Sequence, residues 1–137
     1  MTTIVDTSFL FALADSRDAN HQRAVDIAAV IDDLLILPIT VLPEVCYLID
    51  SRLGYAAMRR FVDTVASGDF QVESVNRDDL SRVAEVFNQH ADARVDFVDA
   101  TIVALAERLN VTRILTLDRR HFELFRPKHC TAFEILP

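Results

Sequence analysis

Apolar residues along this chain fall into two rhythms: short unbroken runs, and longer stretches in which they recur three and four positions apart. The first rhythm marks buried strands and the second marks amphipathic helices. Strand-type runs occupy Thr3 to Val5, Leu34 to Pro38, Asp69 to Ser74, Val111 to Leu117 and Cys130 to Leu136. Helical spacing fills the intervals: Phe9 to Ala14, His21 to Asp33, Thr40 to Arg52, Tyr55 to Ala66, Leu80 to His90 and Phe97 to Leu109. Strands that alternate with helices predict an α/β domain with a mainly parallel central sheet.

One predicted helix differs from the others. Between Phe97 and Leu109, the residues Val98, Ile102, Val103 and Leu105 interleave with Ala100, Ala104 and Ala106 and leave almost no wet face. A helix apolar nearly all round lies inside its domain. Yet Asp96 and Asp99 stand three apart at its start, and so on one face. A buried charge persists only when it is paired or holds a metal. The rest of the chain is organised by what meets these aspartates.

Local punctuation supports the boundaries. Thr40 is placed to cap the helix after the second strand, and Pro43 is tolerated in its first turn. Gly54 divides that helix from the next. Asn76 is placed as a cap, with Asp78 and Asp79 read as a solvated first turn, and His21 is read as a surface residue at its helix start.

Composition narrows the class. A chain of 137 residues suits one domain, 1–137, with a real core. At 51% hydrophobic with only 2 Gly and 4 Pro, it is not a disordered chain. No apolar run approaches a membrane span, and Met-Thr-Thr-Ile-Val-Asp shows neither the basic nor the apolar region of a signal peptide, so a cytoplasmic protein is expected. Cys46 and Cys130 lack metal-type spacing and are expected to be free thiols. A net charge of −7 argues against a broad nucleic-acid-binding face. Lys128 is the only lysine, however, so nearly all the positive charge is arginine, the side chain suited to bidentate phosphate contact.

The acids carry the candidate chemistry. Asp6 directly follows the first strand and precedes a helix, where open α/β sheets place ligands. Capping of that helix by Asp6 or Thr7 explains the same position equally well. Glu44 lies in the first turn of the helix after the second strand, aimed at the strand ends or serving only the helix dipole. Asp118 ends the Val111 to Leu117 run. In a parallel sheet the strand C-termini share one edge, so Asp6, Glu44, Asp99, Asp118 and Asp96 can gather there. Carboxylates so close raise one another's pKa, a penalty that a hard divalent cation removes. Oxygen-only ligation suits Mg²⁺ or Mn²⁺, and no Cys/His set for zinc is present.

Ile-Val-Asp6-Thr-Ser, Leu-Pro-Glu44-Val, Phe-Val-Asp99-Ala-Thr-Ile-Val-Ala-Leu-Ala-Glu-Arg-Leu and Thr116-Leu-Asp118-Arg-Arg-His-Phe resemble the ordered acidic motifs of PIN-domain ribonucleases, in particular VapC-type toxins of toxin–antitoxin pairs. The resemblance spans the whole chain. It implies a PIN-like three-layer α/β/α sandwich and a Mg²⁺-dependent endoribonuclease (Mn²⁺ substituting). The substrate would be selected RNA, tRNA or rRNA, cleaved by metal-activated water. It also implies a homodimer and a cognate VapB-type antitoxin. By position, Asp6 and Asp99 are the principal metal ligands, with Glu44 and Asp118 completing the cluster. Thr7, Ser8 and Thr116 are supporting hydroxyls, and Asp96 is a ligand or an outer acid. Arg119, Arg120 and His121 either hold substrate phosphate or form a solvated turn.

Two other readings compete. A catalytically silent PIN scaffold is expected to lose acids, and this chain keeps them. Phosphoryl transfer on an aspartate needs a second Asp two residues after the first, where Ser8 stands, or a late lysine at a strand end, whereas Lys128 follows Pro127 in a loop.

Overall fold

The computed structural model describes residues 1–137. Its strands are β1 (Thr2–Val5), β2 (Leu34–Pro38), β3 (Gln71–Glu73), β4 (Arg113–Leu115) and β5 (Glu134–Leu136). They form one sheet in the order β3-β2-β1-β4-β5. Every pairing is parallel, with Thr2–Ile4 opposite Leu34–Ile36 and Thr3–Val5 opposite Arg113–Leu115. The helices are α1 (Thr7–Ala14), α2 (His21–Val30), α3 (Val41–Leu53), α4 (Tyr55–Ala66), α5 (Arg77–Gln89), α6 (Phe97–Leu109) and α7 (Arg119–Leu124). α1 packs on α2 and α3, α3 on α4, and α5 on α6, so helices flank the sheet. No helix is long and apolar enough to cross a membrane.

The central strands read as unbroken apolar runs because both faces of a parallel sheet are covered. Ile4, Val5, Ile36, Leu37, Ile114 and Leu115 are all buried. As its composition predicts, α6 is interior: every residue from Val98 to Ala106 is buried. Fully burying one such aliphatic side chain stabilises the fold by about 1.5–3 kcal/mol. Asn110 ends α6 in the left-handed region, φ 55°. Gly54, at φ 99°, joins α3 to α4 without a linker, a backbone angle that side chains other than glycine rarely adopt.

Several boundaries differ from the sequence reading. The last two strands pair over fewer residues than their apolar runs, because apolarity records burial and not ladder pairing. Val111 is buried, but its N–H closes α6 on the Ala106 carbonyl. Phe133 packs edge-on against Phe122 in the loop before β5. The helix from His21 stops at Val30 instead of Asp33, and His21 Nδ1 lies 2.7 Å from the Ala12 carbonyl, tying α2 to α1 from a half-buried position. Thr40 makes no capping bond; its hydroxyl pairs with Thr101 on α6 at 2.7 Å. Asp79 is not solvated. It is 3% exposed, closes a capping box with Asn76 and receives Arg108 Nε at 3.0 Å. The two cysteines are free.

Candidate active site

Chain direction places a crevice at one sheet edge. β1 connects onward to β2 on one side and its other neighbour, β4, connects onward to β5 on the other, so the connections leaving these two adjacent strands run in opposite directions. Such a switch point is where open α/β sheets bind ligands. Asp6 follows β1 and caps α1, accepting the Thr7 N–H at 2.7 Å. Its other oxygen accepts the Thr116 hydroxyl at 2.7 Å and the Ser8 hydroxyl at 3.4 Å. Ser8 Oγ in turn accepts the Leu117 N–H at 3.0 Å, and Thr116 Oγ1 accepts the Asp118 N–H at 3.0 Å. Hydroxyls from two strand ends thus fix one carboxylate and the start of the next segment together. Asp6 caps α1 with one oxygen and leaves the other among the strand-end hydroxyls, so the cap and a place at the sheet edge are compatible.

A cavity of about 270 Å³ opens over this network. Asp6, Glu44, Asp96, Asp99 and Asp118 all line it, with Thr7, Ser8 and His121, and Leu48 is the one hydrophobic residue. All five sequence-predicted acids therefore meet. Asp96 precedes α6 instead of lying in its first turn, and caps it, accepting Val98 N–H at 3.1 Å and Asp99 N–H at 3.4 Å.

Burial and mutual repulsion set the electrostatics. Asp6 is 4% exposed, and burial raises its pKa against the pull of the Thr116 and Thr7 hydrogen bonds, with Glu44 adding repulsion. Asp99, 6% exposed, is pushed up to about 7, first by burial and then by the charge of Asp6, with Asp96 adding to it and His121 opposing. A cation would relieve this cost, since it favours the ionised carboxylates. Thr7 is buried as well, and its hydroxyl has no hydrogen-bond partner. A polar cavity rich in carboxylates fits a hard divalent ion.

The basic residues after Asp118 separate. Arg119 is tied to the C-terminal segment, donating to the Ile135 carbonyl at 3.1 Å and the Pro137 carbonyl at 3.0 Å. Arg120 is exposed and makes no protein contact that fixes it. His121 turns into the cavity, with Nδ1 hydrogen-bonded to Asp99 Oδ2 at 2.9 Å and lying 2.9 Å from Asp118 Oδ2. Sequence reasoning placed His121 with the phosphate-contacting arginines. The signal for its actual place was its spacing, three residues after Asp118 and so on the same face.

Residues 3–126 match the PIN domain family. The chain is 31% identical over 134 residues to ribonuclease VapC26 of Mycobacterium tuberculosis, covering 98% of this chain and 99% of that protein. Among solved structures it resembles VapC20 of Mycobacterium tuberculosis, a sarcin–ricin loop cleaving toxin, at 28% identity and a TM-score of 0.77, covering 82% of this chain and 86% of the other. VapBC2 from Rickettsia felis, bound to a DNA fragment from its promoter, shares the fold at a TM-score of 0.69 and 12% identity across the whole of both chains.

Proposed function

Because the chain belongs to the PIN-domain family, as a VapC-type ribonuclease toxin, we propose that it is a Mg²⁺-dependent endoribonuclease, with Mn²⁺ as a substitute, that cuts selected RNA. The observation that carries the metal and the site is the meeting of five carboxylates at the switch point, with Asp6 and Asp99 both buried. Asp6 and Asp99 are the principal ligands, with Glu44, Asp118 and Asp96 around them. The cation supplies activation of water and neutralises charge on the scissile phosphate. Thr116 and Ser8 hold the Asp6 carboxylate in one orientation, and Thr7 offers a further hydroxyl. Arg120, and Arg119 where its tether allows, bind substrate phosphate.

At −7 the protein has little long-range attraction for RNA, so recognition rests on a few arginines and on the shape of a looped RNA. The substrate class is structured tRNA or rRNA, and a sarcin–ricin-type loop, the target of VapC20, is the first to test. The antitoxin is a VapB-type protein with an amphipathic helix. An apolar cavity of about 290 Å³ between α1 and α4, lined by Leu10, Leu13, Ala57, Phe61 and Phe70, suits such a helix. Exposed Tyr47 on α3 and Tyr55 at the start of α4 support a protein contact, and a homodimer forms in the cytoplasm through another face.

Mapping new 5′ ends in total RNA after induced expression tests the reading. A few sites, absent with Asp99→Asn, are expected. A smear of unrelated cuts would refute selectivity, and no new ends would favour the silent scaffold. Co-expression with the neighbouring open reading frame tests the partner: a monomer with no small protein bound counts against a toxin–antitoxin pair.

A further inference from the structure

Building on the metal-dependent reading above, we propose that His121 is a nitrogen ligand of the bound cation, making a mixed nitrogen–oxygen centre that binds the substitute ion Mn²⁺ more tightly than Mg²⁺. The geometry comes first. Asp118 stands at the N-terminal boundary of α7 and His121 three residues on, so both side chains leave the same face and meet Asp99 of α6. Nδ1 lies 2.9 Å from one oxygen of each carboxylate. One donor atom from each of the three residues lies within 4.8 Å of the others. Two donors each about 2.1 Å from one cation, and at right angles, stand about 3 Å apart. The ring nitrogen is therefore spaced from both carboxylates as neighbours in one coordination shell are. The ring nitrogen that shares a proton with Asp99 is the one that offers a lone pair once that proton leaves.

The other histidines are committed elsewhere. His21 and His129 each hold a backbone carbonyl, of Ala12 and Val111, and His90 packs edge-on against Phe125. Only His121 lines the acidic cavity. Thr7, 5% exposed, also lines this cavity, and its buried hydroxyl is left without a partner in the protein.

Ligand chemistry gives the selectivity. Mg²⁺ demands oxygen donors and sheds water reluctantly. Imidazole favours first-row transition ions over Mg²⁺; Mn²⁺ shares the carboxylate preference of Mg²⁺ but, as the first of that series, also takes a ring nitrogen. Loss of the ring nitrogen should therefore cost Mn²⁺ affinity while leaving Mg²⁺ affinity nearly unchanged.

The His121 side chain is 50% exposed, so its replacement leaves the core intact. The test is calorimetric titration of the purified protein with MnCl₂ and with MgCl₂, together with pulsed electron paramagnetic resonance of the Mn²⁺-loaded form. Wild type, His121→Asn, His121→Ala and Asp99→Asn are compared. His121→Asn keeps a hydrogen-bond donor beside Asp99 but removes the imidazole. The expected result is nitrogen modulation of the Mn²⁺ signal in wild type and none in either His121 variant. Mn²⁺ affinity should also fall by about tenfold or more, the cost of losing even an outer partner of a ligand. An unchanged ratio of Mn²⁺ to Mg²⁺ affinity, or the same nitrogen signal with and without His121, overturns the proposal and leaves His121 a hydrogen-bond partner of Asp99. Wild type that binds neither ion overturns the metal-dependent reading as well, which separates the two failures.

Discussion

Replacing Asp99 by Asn should make the metal-free protein more stable, and more so at high pH. In the fold the Asp99 carboxyl titrates at about 7, against 3.8 when free in an unfolded chain. Between these values the folded protein keeps a proton that the unfolded chain has lost, so stability falls as pH rises through the window from about 4 to about 7. Above it the whole penalty is present: a gap of about three pH units at about 1.4 kcal/mol each gives a ceiling of about 4 kcal/mol. Asn removes the charge but brings an amide N–H₂ into a buried site, at about 1–3 kcal/mol if it finds no partner. The net expectation is a gain of about 1–3 kcal/mol at pH 8, or several degrees in Tm. At pH 5 the wild-type penalty is only about 1–2 kcal/mol and the gain nearly vanishes. Urea or thermal unfolding in chelator-containing buffer at both pH values measures this. If the variant is less stable than wild type at pH 8, or differs from it equally at both pH values, burial and repulsion at Asp99 are not what the geometry indicates.

Other perturbations follow from the same contacts. Protons and cation compete for Asp99, so Mn²⁺ or Mg²⁺ should raise Tm more at pH 8 than at pH 6, as differential scanning fluorimetry would show. Arg120→Ala should slow RNA cleavage while calorimetry finds metal binding unchanged. Arg119→Ala should add a loss of stability of about 1 kcal/mol, because its bonds to the Ile135 and Pro137 carbonyls go with it. Asp79→Ala should destabilise by about 2–4 kcal/mol, losing a helix cap and the partner of Arg108, yet leave the folded fraction with wild-type cleavage; denaturant titration and active-fraction assays separate the two.

The sequence displayed the sheet and its acids because both leave local marks. Ile4-Val5 and Ile36-Leu37 are apolar runs closed by Asp6 and by Pro38, and acids recur just after a strand or in the first turn of a following helix. The parallel topology then brings Asp6, Glu44, Asp99 and Asp118 together without any further signal. What escaped were pairings across elements. Asp79 looks like any first-turn acid until α6 brings Arg108 to it, although Asn76 three residues earlier hinted at a reciprocal cap. Thr40 looks like a cap until the Thr101 hydroxyl, in the buried middle of α6, takes its side chain instead. His121 follows two arginines, and charge grouping drew it to them when helical spacing placed it with Asp118. Strand ends were misjudged for a related reason: Val111 and Phe133 are apolar because they are covered, not because they pair.

The double duty of Asp6 shapes what genetics can learn from this protein. A selection for cells that survive expression of the toxin will collect alleles at this codon that silence it by two different routes. Asp6→Asn retains a side-chain oxygen for the Thr7 N–H, so that allele is inactive and accumulates normally. Asp6→Ala strips the cap from α1 and leaves the hydroxyls of Thr116 and Ser8 without their acceptor, so survival there reports a protein that is degraded. Asp99 caps nothing, and its Asn allele is expected to gain stability, so a survivor carrying Asp99→Asn is free of that ambiguity. An immunoblot beside the survival count sorts the two classes, and only survivors with a full-strength band bear on the chemistry.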